Sequence, residues 1–133
     1  MGAGAAQRSP RGDRGSAAVE FALVAPLLMV LAIAVVQVAL ALHVRVTLTA
    51  AAAEGARAAS LAGADPSAGV VRAREVLADN IAGSVVRDVS AVRAVIDGLP
   101  VMVVRIDAVV PLVGLLGPAA LTVEGHALQE GWS

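Results

Sequence analysis

Three short stretches of this 133-residue chain carry groups whose types and spacing could do chemistry. Glu20 stands five residues after Gly15, at the mouth of a run that stays uncharged through Val44. Glu54 and Arg57 sit at i, i+3 and bracket Gly55 and Ala56. Glu124 and His126 alternate along a strand-like segment, so they share a face and offer two metal ligands, but nothing in the sequence supplies a third. Exposed polar positions on an outer strand face account for that pair without a metal. His43 stands alone at the end of the apolar run. No phosphate-cradling glycine loop and no nucleophile–base pairing occurs. The chain has no Cys, which excludes disulfides, thiolate metal sites and Cys nucleophiles. The reading is of a non-enzyme with no cofactor and no metal.

Composition directs attention to lipid. The chain is 58% hydrophobic and only 2% aromatic, the aromatics being Phe21 and Trp132. Its apolar mass is Ala, Val and Leu, which suits close helix packing in a bilayer better than a large jigsaw core. Net charge is −1, so there is no electrostatic footprint for nucleic acid. From Phe21 to Val44 there is no formal charge. At about 1.5 Å per residue that makes roughly 36 Å of helix, enough to cross a ~30 Å hydrocarbon core with some tilt. Cleavage of a secretory signal at Ala39-Leu40-Ala41 is the alternative, but signal h-regions run about 7–15 residues and this run is longer. Arg8, Arg11 and Arg14 against Asp13 make the N-terminal tail basic, which predicts the N-terminus in the cytoplasm and the C-terminal domain outside the cytoplasm. Pro26, in the first third of the span, removes a backbone hydrogen bond and predicts a helix kink.

An ionised Glu beside a membrane segment costs a few kcal/mol unless it reaches headgroup water or finds a partner. Glu20 has both options open. Its surroundings, Arg14-Gly15-Ser16-Ala17-Ala18-Val19-Glu20-Phe21, resemble the class III prepilin signal: a short basic leader, a Gly, then an apolar helix with Glu fifth in the mature chain. Further on, Leu48 to Ser60, with Glu54-Gly55-Ala56-Arg57 at its centre, resembles the segment that follows the membrane helix in TadE-like proteins of the tight-adherence (Flp-type) pilus machinery. The C-terminal stretch from Val104 to Glu130 resembles their closing pattern of strand, apolar Pro/Gly loop and strand. Ala53 departs from the pattern, standing where many relatives place a basic residue before Glu-Gly.

The resemblance implies that a membrane-embedded prepilin peptidase cuts after Gly15. A side chain there would crowd the backbone's approach to the protease. Cleavage would free the Ser16 amine, a natural partner for the Glu20 carboxylate within one subunit or between neighbours. Ser rather than an aromatic as first mature residue suits a minor pilin or pseudopilin. The implied partners are the peptidase, other pilins or pseudopilins, the pilus assembly platform and membrane lipid. The organisation is then a cytoplasmic leader over 1–15, a transmembrane helix over 16–44, its extension over 45–62 and an extracytoplasmic domain over 63–133. An unprocessed single-pass anchor carrying an outer scaffold or binding module is the rival reading.

The outer part reads as α+β: the extended helix, a short helix and a small antiparallel sheet of about three strands. On the extension, Val44, Leu48, Ala51, Ala52, Gly55, Ala59 and Ala62 fall on one face at 100° per residue, with Arg45, Glu54 and Arg57 off it. That small face suits packing on the chain's own domain or on another subunit's helix. Gly63-Ala64-Asp65-Pro66 ends the helix and starts another, with Asp65 as N-cap and Pro66 first inside. Val70, Ala73, Leu77 and Ile81 form its apolar face, and Gly83 is its expected stop. Met102, Val104, Ile106, Ala108 and Val110 alternate inward. Asp97-Gly98 predicts a hairpin with a strand over Val89 to Ile96, pairing Ala91 with Val104 and Val89 with Ile106. The same register puts Asp88 opposite Asp107, a mild count against it. Leu121 to Leu128 is the third strand. The linker over 111–118 is unusually apolar for a loop, suiting a lid on the core or contact with a partner or the outer leaflet.

Overall fold

The computed structural model describes residues 2–4, 11–61, 63, 65–112 and 117–129. Arg8, Ala62, Ala64, the linker centre over 113–116, Glu130 and Trp132 lie outside the described residues, as does the side chain of Arg11. The fold class is α+β, as the sequence predicts. Helix α1 spans Arg11–Leu61, α2 spans Pro66–Ala78, a short 3-10 helix covers Ile81–Val85, and strands β1 (Val86–Ile96), β2 (Leu99–Pro111) and β3 (Pro118–Leu128) follow. The chain divides into two units, Met1–Val36 and Gln37–Ser133.

In the first unit the described residues from Gly12 onward are helical and, apart from half-buried Ala25, exposed. Val19, Phe21, Leu23 and Leu27 all face outward. Pro26 lies inside α1, which is helical on both sides of it. The helix is long and apolar enough to cross a membrane and is compatible with a single-pass membrane protein.

In the second unit, α1 and α2 cover one face of a three-stranded antiparallel sheet of order β1-β2-β3. The small face of α1 is buried throughout its described length, from Val44 through Leu48, Ala51, Ala52 and Gly55 to Ala59, and Ala56 joins it. It packs on the chain's own domain: Val44, Leu48, Ala51, Ala52 and Ala56 share one core with Ala73 and Leu77 of α2 and Val104, Ile106, Ala108 and Val110 of β2. The even positions of β2 face this core, as alternation requires.

The hairpin register is the one the turn chemistry dictates. Ala91 pairs with Val104, Val89 with Ile106 and Asp88 with Asp107. Asp97 and Gly98 both have positive φ, 51° and 79°, which the two-residue turn needs and which Gly adopts without strain. The facing acids are tolerated because Asp107 has other partners: the Thr122 hydroxyl donates to it at 2.6 Å and Arg105 Nε at 3.4 Å.

Three expectations need correction. The helix begun at Pro66 ends at Ala78 with Asp79 as C-cap, well before Gly83. Asn80 then caps a separate turn by accepting from the Ala82 N–H at 3.1 Å, an alternative local hydrogen bond that ends the α-helix early. Ile81 is consequently 77% exposed and is no part of the apolar face, whose buried members are Gly69, Ala73 and Leu77. The strands also begin earlier than the alternation suggests, β1 at Val86 and β3 at Pro118, because β2 runs to Pro111 and pairs along its whole length.

Candidate functional site

The Gly15–Ser16 bond lies within α1, about a turn after its start at Arg11. Arg14, Gly15, Ser16, Glu20 and Phe21 are all exposed, and nothing approaches the place a Cβ on Gly15 would occupy. Ser16 and Glu20 are at i, i+4, so on a helix they share a face with Cβ atoms roughly 5–6 Å apart. Among the described residues Glu20 forms no ion pair. An amine created at Ser16 would be one helical turn from an unpartnered carboxylate.

The second stretch, Glu54 to Arg57, divides into two roles. Arg57 Nη1 donates to Glu54 Oε1 at 2.7 Å across an i, i+3 step on the exposed side, a pair worth a few tenths of a kcal/mol. Gly55 and Ala56 point the other way, into the core. A Cβ on Gly55 would lie 2.7 Å from the Gly69 carbonyl oxygen, 3.1 Å from Ala73 Cβ and 3.4 Å from Val104 Cγ1. Its counterpart on α2 is Gly69, whose Cβ would meet Ala59 Cβ and the Gly55 carbonyl oxygen at 3.0 Å each. The helices cross backbone to backbone at this glycine pair. Gly125 of β3 makes a third close approach, since a Cβ there would overlap the Ala52 carbonyl. Sequence reading found Gly55 by periodicity. Periodicity did not single out Gly69, or Gly125 within the third strand, as points of close approach. The available signal was a glycine standing where an inward apolar side chain belongs.

The third stretch has no shared task visible in its geometry. His126 Nε2 lies 3.8 Å from Glu124 Oε2, and Arg105 Nη1 lies 3.7 Å from Glu124 Oε1, all on exposed side chains of the outer sheet face. Among the described residues no group of three or more His, Cys, Asp or Glu is placed to hold a metal. The carboxylates with perturbed acidity are structural. Asp107 is held below the ordinary carboxylate value of 3.8 chiefly by the Thr122 hydroxyl, with Arg105 assisting against partial desolvation. Asp65 is lowered by the Ser67 N–H it caps, at 2.9 Å.

Comparison with known proteins bears on one part of the chain. A family model described as TadE-like protein matches residues 15–57. The match opens at Gly15, takes in the exposed apolar helix and closes at Arg57, so it contains both the Gly15–Ser16 bond and Glu54 to Arg57. The second helix and the sheet lie outside it. No curated protein and no solved structure matches the chain.

Proposed function

We propose that this chain is a component of a tight-adherence pilus system: a minor pilin or pseudopilin, anchored by α1, cut after Gly15 by a prepilin peptidase and assembled through its N-terminal helix. One observation carries the reading. The family match begins at Gly15 and runs along an exposed apolar helix on which Ser16 and Glu20 stand one turn apart. In this reading residues 16–44 cross the membrane, the basic leader stays in the cytoplasm and the unit around the sheet lies outside. Two glycines, Gly12 and Gly15, lower the cost of opening the first turns of α1 around the proposed cleavage site. After cleavage the Ser16 ammonium and Glu20 carboxylate neutralise each other, either along one helix or against a neighbouring subunit, where low dielectric strengthens the pairing. The domain supplies no catalysis.

Intact-mass measurement of the chain from cells with and without an active prepilin peptidase tests the proposal. The expected product begins at Ser16 only where the peptidase is active, and a chain still carrying its leader in both would refute processing. Glu20→Ala should leave membrane insertion intact and reduce recovery in sheared pili or assembly complexes; undiminished recovery would refute the pairing.

An unprocessed anchored scaffold is the second reading, favoured by the outer sheet face. There Val92 and Leu128, with Ile96 and Leu99 at the hairpin end, remain exposed. N-terminal sequencing separates the two, since only the first requires Ser16 as the first residue.

A further inference from the structure

We infer that the second unit carries a binding site for the phosphate of an anionic phospholipid headgroup, built from Arg74 of α2 and Arg87 of β1. Both line one cavity of ≈ 450 Å³, together with Asn80, Ser84 and the apolar Leu77 and Val89. Arg72 pairs with Glu75, and Arg105 with Asp107 and Glu124. Arg74 and Arg87 form no ion pair among the described residues. The carboxylates next to them in sequence, Glu75, Asp79 and Asp88, are not among the described residues that line the cavity.

Arg87 reaches this position through a break in strand pairing. Val86 pairs with Ala108 and Asp88 with Asp107, so Arg87 is the extra residue of a β-bulge. Regular pairing would set Arg87 opposite Ala108 and turn a guanidinium toward the core. The bulge gives the inward slot to Val86, which packs against the core, and leaves Arg87 exposed at the cavity. The bulge thus brings to a cavity lined by Arg74 a second arginine without an ion pair among the described residues, and guanidinium groups are the charge-assisted donors that a phosphodiester accepts from.

The cavity's place in the fold selects lipid as the source of that phosphate. Gly69 meets Ala59 and Gly55, and Ala73, one turn later, meets Gly55. The second helix therefore runs back along α1, and Leu77 shares its core with Leu48 and Val44. At about 1.5 Å per residue the end of α2 lies near the level of Leu48, roughly 5 Å beyond Arg45, the first charge after the apolar run. A headgroup layer occupies about that depth beyond the hydrocarbon. Exposed Ile81 stands between Asn80 and Ala82 at the same end of the domain, an apolar side chain with no cover in its own fold.

The inference rests on residues 16–44 crossing the membrane, and the test keeps the two apart. Alkaline carbonate extraction of membranes should leave the full chain in the pellet; its release would overturn the membrane reading and this inference with it. Native mass spectrometry of the detergent-solubilised full chain, offered equal phosphatidylglycerol and phosphatidylcholine, should show retention of phosphatidylglycerol in preference. The variant Arg74→Gln/Arg87→Gln should lose that preference by roughly fivefold, the size two exposed ion pairs supply together. Arg72→Gln, outside the cavity, should keep it. A membrane-retained chain with no preference, or a double variant that keeps it, would overturn the headgroup site alone. Inorganic phosphate separates the sources: if it binds the arginine pair and no lipid is retained, a lipid occupant is refuted.

Discussion

The crossing of α1 on α2 and the sheet at three glycines makes a graded prediction for stability. Gly→Ala in a helix interior ordinarily stabilises by about 0.5–1 kcal/mol, because glycine loses the most backbone freedom on folding. At Gly55 the added methyl would sit 2.7 Å from the Gly69 carbonyl oxygen, a backbone atom that moves only if α2 moves. Overpacking of this kind costs about 1–3 kcal/mol. The net for Gly55→Ala is then about 1–2 kcal/mol of destabilisation, or a fall in Tm of roughly 5–10 °C for a domain of this size. Gly69→Ala meets its neighbours at 3.0–3.1 Å rather than 2.7 Å, and one of them, Val104 Cγ2, is a side-chain end that can give, so its loss should be smaller. Gly125→Ala would overlap the Ala52 carbonyl between two regular elements, and should be the most damaging of the three. Because Gly55 and Gly69 touch one another, the double variant should depart from additivity. Differential scanning calorimetry of the detergent-solubilised full chain measures all four. The reasoning fails if Gly55→Ala and Gly125→Ala melt at or above the wild-type temperature, or if Gly69→Ala is the worst.

Other measurements probe the remaining links. Leu48→Ala removes a fully buried side chain from the core and should cost about 2–5 kcal/mol in the same calorimetry, whereas Val46→Ala, on the exposed side, should cost little. Asp107 has a lowered pKa in the fold, so its stabilising contribution is present above 3.8 and is lost as pH falls through the lower folded value. Thr122→Val removes the hydroxyl chiefly responsible, so NMR titration should place Asp107 closer to 3.8 and acid unfolding should begin at higher pH, with Asp65 unmoved. The Ser16 start of the mature chain and the Glu20→Ala assembly defect remain the direct checks of processing, read by intact mass and by recovery in pili.

What this sequence determines by itself is everything that depends on short-range repetition. An uncharged run from Phe21 to Val44, with Gln37 and His43 its polar members, specifies one helix long and apolar enough to cross a membrane. A period of 3.6 over Val44 to Ala59 marks the face of α1 that the domain covers, and strict alternation over Met102 to Val110 marks the inner face of β2. Asp97-Gly98 sets a two-residue turn, and through it the hairpin register up to Asp88. The proposed processing signal, the Gly15–Ser16 bond with Glu20 one helical turn on, is of the same local kind.

Tertiary structure decided the rest, because those features depend on what arrives from a distance. Val101 and Val103 lie on the outer sheet face yet are buried, since the central strand is flanked on both sides by Val92, His126 and Leu128. Gly69 and Gly125 are required only once the backbones of α1, α2 and β3 have met, a demand absent from their local sequence. Helix α2 stops at Ala78 rather than Gly83 because the chain must turn there to enter β1, which leaves Ile81 outside the core. The bulge at Arg87 arises from the same constraint. Regular pairing with β2 would allot Arg87 the inner side opposite Ala108, and the bulge gives that slot to Val86, which spares the cost of burying a guanidinium there. Periodicity assigns faces within an element; only the packing of one element on another fixes which backbones must touch and where a strand must break step.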